Sequence, residues 1–273
     1  MKNNKPVQVV LITGASSGFG KAFAELLARN GYRVFGTSRR ADFSEVNAVT
    51  MIPMDVNDEE SVRAAVDYVC AQAGTIDVLI NNAGYGISGA VEDTTVDEAR
   101  ALFETNFFGV HRVCKAVIPI MREQACGHII NVGSIGGVVS IPFQAFYSAS
   151  KSALASLSDG LGMELKPFGI RVTRIEPGDY KTGFTSNRVM VDGSRAGSPY
   201  QRRCQRAVAV MEHDEQNGAD PDKLAAKLLK IIQLDRCGLV YREGMLSQTL
   251  LVKLLPLLPR RWTQKLIMMT YQL

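Results

Sequence analysis

Short apolar runs rich in valine and isoleucine alternate along the chain with longer segments in which apolar residues recur every three or four positions. The short runs are typical of strands buried on both faces of a parallel sheet, and the longer segments are typical of the helices that cover it. The pattern predicts seven strands, over residues 7–12, 32–38, 48–54, 78–81, 128–132, 171–175 and 238–242. It predicts helices over residues 18–29, 58–73, 96–122 and 145–166.

This alternation is that of βαβ units, so the sequence predicts an α/β fold with a doubly wound parallel seven-stranded sheet, a Rossmann fold. No internal repeat, low-complexity tract or serine/proline-rich linker interrupts residues 1–273, so we expect a single domain. Residues 179–216 lack a clean period and are too long for a simple connection, so they are predicted to be a substrate-binding loop. Residues 245–273 are predicted to form a C-terminal amphipathic helical extension.

The composition excludes several classes of protein. With 46% hydrophobic and 21% charged residues, the chain is neither disordered nor fibrous. A net charge of +4 is far from a dense basic stripe, so no nucleic-acid partner is expected. The five cysteines are odd in number and never form a C-x-x-C pair, which argues against a disulfide framework and a zinc site. Residues 1–6 are short and polar, so no signal peptide is expected and we expect a cytoplasmic protein.

A glycine-rich turn follows the first predicted strand and opens the first helix. It reads Thr13-Gly14-Ala15-Ser16-Ser17-Gly18-Phe19-Gly20. Glycines permit a tight turn and a close approach of the backbone, and the start of a helix offers free N–H groups and the positive end of a dipole to a pyrophosphate. The turn therefore predicts a dinucleotide-binding site.

The G-x-x-x-G-x-G spacing of this turn resembles that of the short-chain dehydrogenase/reductase family, and the resemblance extends over about residues 7–185. Three further elements match the family at independent positions. These are Asn82-Ala83-Gly84, the Y-x-x-x-K pair of Tyr147 and Lys151 with Ser134 upstream of it, and Pro177-Gly178 followed by Thr182.

The resemblance implies a catalytic set of Asn106, Ser134, Tyr147 and Lys151. Tyr147 and Lys151 are four positions apart on one predicted helix, so both side chains project from the same face. The Lys151 ammonium is expected to lower the pKa of the Tyr147 hydroxyl, which is about 10 when unperturbed. In the family mechanism, hydride passes between nicotinamide and carbonyl carbon while the tyrosine transfers the proton. Ser134 would bind the carbonyl oxygen, and Asn106 would position a water beside Lys151.

The resemblance also implies a cofactor site, made of Gly14, Ser16, Ser17, Phe19, Gly20, Ser38, Arg39, Arg40, Asp55, Val56, Asn82, Ala83, Gly84, Tyr147, Lys151, Pro177, Gly178 and Thr182. The second predicted strand ends in Ser38-Arg39-Arg40 with no acid at its tip, which favours NADP(H) over NAD(H), because guanidinium groups bind the 2′-phosphate. Asp42 lies close by and leaves NAD(H) as the alternative. No metal is expected, because His111, His128 and His213 lack ligand spacing.

The substrate is predicted to bind between residues 135–146 and residues 179–211. Their apolar members suggest a hydrophobic pocket, and the alternative is that they belong to the core: Val138, Val139, Ile141, Phe143, Phe184, Val189 and Met190. Residues 179–211 carry six basic and two acidic residues, which would either attract an anionic headgroup or be solvated together with Glu212, Asp214 and Glu215. These patterns predict a small apolar carbonyl or alcohol substrate.

The C-terminal extension carries four basic and no acidic residues among leucines, methionines and Trp262. Pro256 and Pro259 predict two short amphipathic pieces instead of one helix. Three interpretations stay open: a lid over the pocket, a peripheral membrane contact, and an oligomer interface. Tails of this kind are similar to those of family members that act on steroids, retinoids or lipids. The resemblance further implies a homodimer or homotetramer that associates through the helices at 96–122 and 145–166.

Two functions from different classes follow. The first is an NADP(H)-dependent oxidoreductase that interconverts a hydrophobic primary or secondary alcohol and its carbonyl. The second is a non-catalytic NADP(H)-binding regulatory protein on the same fold. The complete set of four catalytic positions favours the enzyme, because a regulatory protein has no need of a proton donor beside the nicotinamide.

Overall fold

The structure is a computed structural model that describes residues 7–195, 197–255 and 258–273. Its strands are β1 (Val9–Ile12), β2 (Arg33–Ser38), β3 (Ser44–Val46), β4 (Val49–Pro53), β5 (Val78–Asn81), β6 (Ile87–Ser88), β7 (Gly127–Val132), β8 (Ile170–Pro177), β9 (Val189–Met190) and β10 (Val240–Glu243). Its α-helices are α1 (Gly18–Arg29), α2 (Glu59–Ala73), α3 (Val96–Phe103), α4 (Gly109–Glu123), α5 (Ala145–Leu165), α6 (Gln201–Gln216), α7 (Pro221–Gln233), α8 (Leu246–Leu254) and α9 (Arg260–Thr270).

Eight of the strands form one central sheet in the order β10-β8-β7-β5-β1-β2-β4-β3. All pairs are parallel except β3 with β4. From β1 the chain builds the sheet outward through β2 and β4, and it then returns to build the other side through β5, β7 and β8. The order therefore reverses between β1 and β5, which creates the crevice where ligands bind in doubly wound folds. This architecture confirms the predicted Rossmann fold.

The sheet has eight strands instead of the predicted seven, because β3 adds an antiparallel edge. All seven predicted strands are present. The additional strand is short and fully exposed, so it carries none of the apolar pattern that marks the others. It joins β4 through Asn47 and Ala48, both at positive φ (52° and 61°). Two such residues make the tight turn of a hairpin, but alanine seldom adopts this conformation and gave no turn signal.

Helices cover both faces of the sheet. One apolar core packs α1 and α7 against it and includes Phe23, Leu27 and Leu228. The core on the opposite face includes residues of α2, α4 and α5, such as Val66, Val117 and Leu154. The helical period of α7 is clear, with Asp220 accepting a hydrogen bond from the Asp222 N–H at its start, yet α7 is absent from the predicted elements.

The helix predicted over residues 96–122 is continuous but not uniform. A π-helical segment, Glu104–Phe108, joins α3 to α4. One residue is effectively inserted in such a segment, which changes the direction of the side chains within it and is frequent at functional sites. The segment carries Asn106, whose side chain is buried.

The segment 179–216 is not a loop throughout, which corrects the sequence prediction. Its second part forms α6, an amphipathic helix whose buried face includes Cys204, Val208 and Met211. Arginines and glutamates around that face obscure the period in the sequence. Only the first part, with the short strand β9 pairing with β6, is irregular.

The C-terminal extension forms two helices, α8 and α9, as predicted. Of the two prolines predicted to separate the pieces, Pro256 lies outside the described residues, whereas Pro259 directly precedes α9. In the part of the chain that the structure describes, no helix is both long and apolar enough to cross a membrane.

Candidate active site

A cavity of about 1100 Å³ opens at the carboxyl ends of β1 and β5, at the reversal of strand order. The glycine-rich turn, the ends of β2, β4, β7 and β8, and helices α5, α6, α8 and α9 all contribute to its wall. Its lining extends from the strand ends, where doubly wound folds bind dinucleotides, to the C-terminal helices.

The glycine-rich turn is held by contacts that leave no room for side chains. Gly14 has φ +68°, and a Cβ on Gly20 would lie 2.2 Å from the Gly14 carbonyl oxygen. The Asn82 amide donates to the carbonyls of Thr13 and Gly14, at 3.0 and 3.1 Å. In return, the Thr13 hydroxyl accepts from the N–H groups of Asn82 and Ala83, both at 2.9 Å. The Asn-Ala-Gly element thus fixes the turn at the cavity floor.

The first turn of α1 fits a pyrophosphate. Ser17 precedes the helix in an extended conformation and its side chain does not cap it, so the N–H groups there are free of that partner. Ser16, Ser17 and Phe19 line the cavity at this point. Backbone N–H groups at a helix start that borders a cavity are what a dinucleotide phosphate requires. The residues present therefore fit a nicotinamide dinucleotide.

The part of the cavity that fits a dinucleotide ends at β2 and β4. Ser38, Arg39, Arg40, Asp55 and Val56 all line the cavity. Both arginines are exposed, whereas Asp42 is not part of the described lining. The Asp55 carboxylate accepts from the Asn57 N–H at 2.9 Å, which shapes the turn after β4.

Tyr147 and Lys151 lie on the same face of α5 and line the cavity together with Ser134. The Lys151 ammonium donates to the Val132 carbonyl at 2.9 Å and lies 6.0 Å from the centre of the Tyr147 ring. The Ser134 hydroxyl accepts from the Gly136 N–H at 3.0 Å, and it lowers the pKa of the Tyr147 hydroxyl. A hydroxyl pair beside a buried cation can bind and protonate a carbonyl oxygen.

Burial has the largest effect on the pKa values of Tyr147 and Lys151. It raises the pKa of Tyr147 to about 12, although the hydrogen bond from Ser134 acts against the rise. It also lowers the pKa of Lys151 to about 8. The direction for Tyr147 is the reverse of the sequence-based expectation, because desolvation by burial outweighs the lowering effects of Ser134 and Arg188. In this state the phenol keeps its proton at neutral pH.

Asn106 lies behind the reactive groups and does not line the cavity. Its amide donates to the Tyr85 carbonyl at 3.0 Å and to the Ser150 hydroxyl at 3.2 Å, and its oxygen accepts from the Tyr85 N–H. Ser150 in turn donates to the Tyr147 carbonyl at 2.7 Å. The π-helical segment is thereby tied to the first turn of α5, a link that the sequence motifs do not include.

Most of the implied cofactor residues line the cavity, including Pro177, Gly178 and Thr182. Gly20 does not, since its role is steric within the turn. Thr182 lies close to the first turn of α1. A Cβ placed on Gly18 would be 3.5 Å from the Cβ of Thr182. Among the described residues, no group of histidine, cysteine and acidic side chains is placed to hold a metal ion.

The substrate half of the cavity is apolar on one side. Val139, Ile141, Phe184 and Val189 line it, and the Phe184 ring lies 5.5 Å from that of Tyr147. Three other residues expected there, Val138, Phe143 and Met190, are not among the described lining. The C-terminal helices also contribute to the wall, as the lid interpretation of the extension predicted, through Gln248, Val252, Leu255, Ile267, Thr270 and Tyr271.

Carboxylates form another side of this half. Asp179, Asp214 and Glu215 line the cavity, and burial raises the pKa of Asp179 to about 6. Glu215 is buried, accepts a hydrogen bond from Thr185 and pairs with the buried Arg188. Glu215 is therefore buried, whereas its acidic neighbours in the sequence suggested that it belongs to a solvated surface. None of the described basic residues of 179–211 lines the cavity, so they form no anionic headgroup site there.

Comparison with known proteins identifies the family. A family model for short chain dehydrogenases matches residues 8–190. The chain is 43% identical to a 3-ketodihydrosphingosine reductase of Bacteroides thetaiotaomicron, over 97% of this chain and 98% of the relative. A short-chain dehydrogenase from Streptomyces avermitilis has a similar structure, with a TM-score of 0.82 and 34% identity over 91% of this chain and 92% of that one.

A second solved structure, a short-chain dehydrogenase/reductase from Burkholderia phymatum in complex with NAD, has a TM-score of 0.77. It is 26% identical and covers 91% of this chain and 92% of its own. The family match and the full-length relatives agree with the fold and with the cavity at the strand reversal. This chain belongs to the short-chain dehydrogenase/reductase family and is an oxidoreductase of that family.

Proposed function

We propose that this protein is an NADP(H)-dependent carbonyl reductase that converts a long apolar ketone to its alcohol. The observation that carries the proposal is the convergence of Ser134, Tyr147 and Lys151 on one wall of the cavity, next to a cradle that fits a dinucleotide. A reduced nicotinamide would supply the hydride for the carbonyl carbon.

The chain's own residues would handle the carbonyl oxygen. Ser134 would hydrogen-bond to it, and Tyr147 would donate its proton as negative charge develops there. A phenol that stays protonated at neutral pH suits the direction of reduction. Lys151 would stabilise the resulting phenolate by its charge, and Asn106 would act as a positioning residue through Ser150.

Two observations support NADP(H) over NAD(H). Arg39 and Arg40 line the far end of the cavity and are exposed there, and Asp42 is not part of the described lining. A guanidinium pair favours a 2′-phosphate through charge-assisted hydrogen bonds. The solved relative in complex with NAD keeps NAD(H) as the alternative.

The apolar wall supports a hydrophobic substrate. Val139, Ile141, Val252, Leu255 and Ile267 would contact an aliphatic chain beyond the reacting carbonyl. The name of the 43% identical relative, a 3-ketodihydrosphingosine reductase, favours a lipid-like ketone over a steroid or retinoid. The carboxylates of the same half disfavour an anionic substrate.

We also propose a homo-oligomer in a reducing compartment such as the cytoplasm. Phe108 and Met163, on the two helices implied by the resemblance, are exposed apolar residues. All five cysteines are free thiols, as expected where disulfides are not maintained.

The test is oxidation of NADPH and of NADH by purified protein, with a short-chain, a long-chain and a cyclic ketone. We expect NADPH and the long-chain ketone to give the highest kcat/KM. Tyr147→Phe should lower turnover by about 10² to 10⁴ while leaving NADPH affinity nearly unchanged. Tyr68→Phe, outside the cavity, is the matched control.

Two outcomes would count against the proposal. Turnover retained by Tyr147→Phe would remove the general acid. Tight NADPH binding without oxidation by any ketone would favour the non-catalytic regulatory protein instead.

A further inference from the structure

Helix α9 has two faces with different surroundings. Ile267, Thr270 and Tyr271, at its end, line the catalytic cavity. Trp262, Leu266 and Met269 are spaced by four and three positions, so they share a second face. They are exposed to 71%, 36% and 67%. One helix therefore forms the wall of the cavity on one side and an apolar surface on the other.

Helix α8 repeats this division. Val252 is buried and lines the cavity, as does Leu255 directly after the helix. Leu250 and Leu254, four positions apart, are about half exposed. Exposed large apolar side chains at this density cost free energy in water, so they indicate a partner surface.

The charged side chains of the C-terminal extension are all of one sign. Residues 245–273 contain Lys253, Arg260, Arg261 and Lys265, and no aspartate or glutamate. Within the described residues, none of the four forms an ion pair. Lys265 lies next to the apolar face of α9, where its aliphatic stem can pack while its ammonium reaches outward.

We propose that the outer surface of α8 and α9 docks onto an anionic lipid membrane. Lipid headgroups supply the negative charge that four unpaired cations attract, and the boundary between headgroups and acyl chains accepts tryptophan, leucine and methionine. A second copy of the chain would fit less well, because a two-fold contact would bring like charges together. The surface is peripheral, since neither of these two described helices can span a bilayer.

Docking in this orientation has a consequence for substrate entry. Another face of α9 is cavity wall, so a membrane-dissolved ketone would reach the active site along this helix without full exposure to water. This consequence rests on the proposed function, whereas the docking itself does not.

The experiment uses Trp262, which is the only tryptophan of the chain. The full-length protein is mixed with phosphatidylcholine vesicles, with and without phosphatidylglycerol. We expect co-sedimentation and a shift of tryptophan emission to shorter wavelength only with the anionic vesicles. Added salt should weaken both, because it screens the attraction between cations and headgroups.

A charge-reversal variant provides the comparison. Arg261→Glu combined with Lys265→Glu should weaken binding to anionic vesicles by at least about thirtyfold, since each basic residue near such a surface contributes about 1 kcal/mol. The control combines Lys223→Glu with Lys230→Glu, at exposed positions of α7. It changes the net charge by the same amount and should leave binding to anionic vesicles unchanged. Neither pair lines the cavity, so reduction of a water-soluble ketone should be unchanged in both.

The outcomes separate this proposal from the proposed function. Equal loss of binding in the two variants, or equal binding to neutral vesicles, would overturn docking. A shift of Trp262 emission that rises with protein concentration in the absence of vesicles would assign the surface to a second copy. Vesicle binding by a protein that reduces no ketone would refute the enzyme and leave docking intact.

Discussion

Lys151 is a cation held inside the protein. Its side chain is buried, and its ammonium donates a hydrogen bond to the Val132 carbonyl. Burial removes the hydration of the charge, and a single carbonyl does not replace it, so the pKa falls to about 8. The group is therefore destabilising at neutral pH in the free protein. Functional sites often retain residues of this kind.

This burial predicts how stability depends on pH. The folded-state pKa of Lys151 lies below its unfolded value of 10.5, so between about pH 8 and 10.5 the unfolded chain binds the additional proton. Relative to Lys151→Met, the wild type should gain up to about 3 kcal/mol of unfolding free energy as pH rises through that window. Urea unfolding of both proteins at several pH values measures the difference. A constant difference would show that burial does not perturb this lysine.

Arg39 provides a test of the cofactor preference. If its guanidinium binds the 2′-phosphate, Arg39→Ala should weaken NADPH binding by about ten- to a hundredfold and leave NADH binding unchanged. Titration of both nucleotides measures this, with Arg29→Ala at the exposed end of α1 as the control. Equal losses for NADPH and NADH would indicate general damage to the site.

At the scale of elements, the regular helices and the irregular segments have different roles. Helix α5 carries Tyr147 and Lys151 on a rigid face, while the π-helical segment aims Asn106 at Ser150 and Tyr85. The spacing of four positions was enough to predict the first arrangement. The second depends on one additional residue per turn, which shifts side-chain directions without leaving a mark in the apolar pattern.

Helix α9 should contribute to the site more than to stability. None of its residues is fully buried, although Ile267, Thr270 and Tyr271 reach the cavity. A chain that ends at Pro259 should therefore stay folded and bind NADPH. Its KM should rise for bulky apolar ketones and stay nearly constant for small ones, because only large substrates reach the missing contacts.

A thermal melt, gel filtration and kinetics on one small and one large ketone measure these expectations. Unfolding of the truncated chain would show that α9 supports the fold. Unchanged kinetics on both ketones would exclude α9 from the substrate site.

At the scale of the whole molecule, we expect exposed apolar residues just before α4 and on α5 to form the interface of the proposed oligomer. Phe108, just before α4, and Met163 on α5 are exposed to 45% and 73%, as expected for residues that a second copy covers. We expect a mass of two or four times 29.8 kDa in light scattering. Phe108→Glu combined with Met163→Glu should give the monomer, because burying two carboxylates opposes association.

Leu239→Glu, which places a carboxylate at another exposed apolar position, is the control and should not change the mass. A wild type that is already a monomer would contradict the assembly inferred from the family resemblance.

The sequence by itself determined the features that depend on neighbouring residues. Apolar runs located all seven predicted strands, and the glycine-rich turn located the dinucleotide cradle, because both patterns are encoded in consecutive positions. The four-residue spacing brought Tyr147 and Lys151 to one face. The resemblance to the family rests on the same local motifs, so the order of residues along the chain is sufficient to recognise it.

Only the tertiary structure decided the features that depend on burial and on distant contacts. The sequence around Glu215 suggested a solvated residue, but the fold of α6 places it against Arg188. Gln248 contacts Asp179, which lies about 70 positions earlier in the chain. The edge strand β3 exists because β4 offers it a partner, not because of its own pattern. The rise in the pKa of Tyr147 has the same origin, since desolvation is set by everything packed around a group and not by its neighbours in sequence.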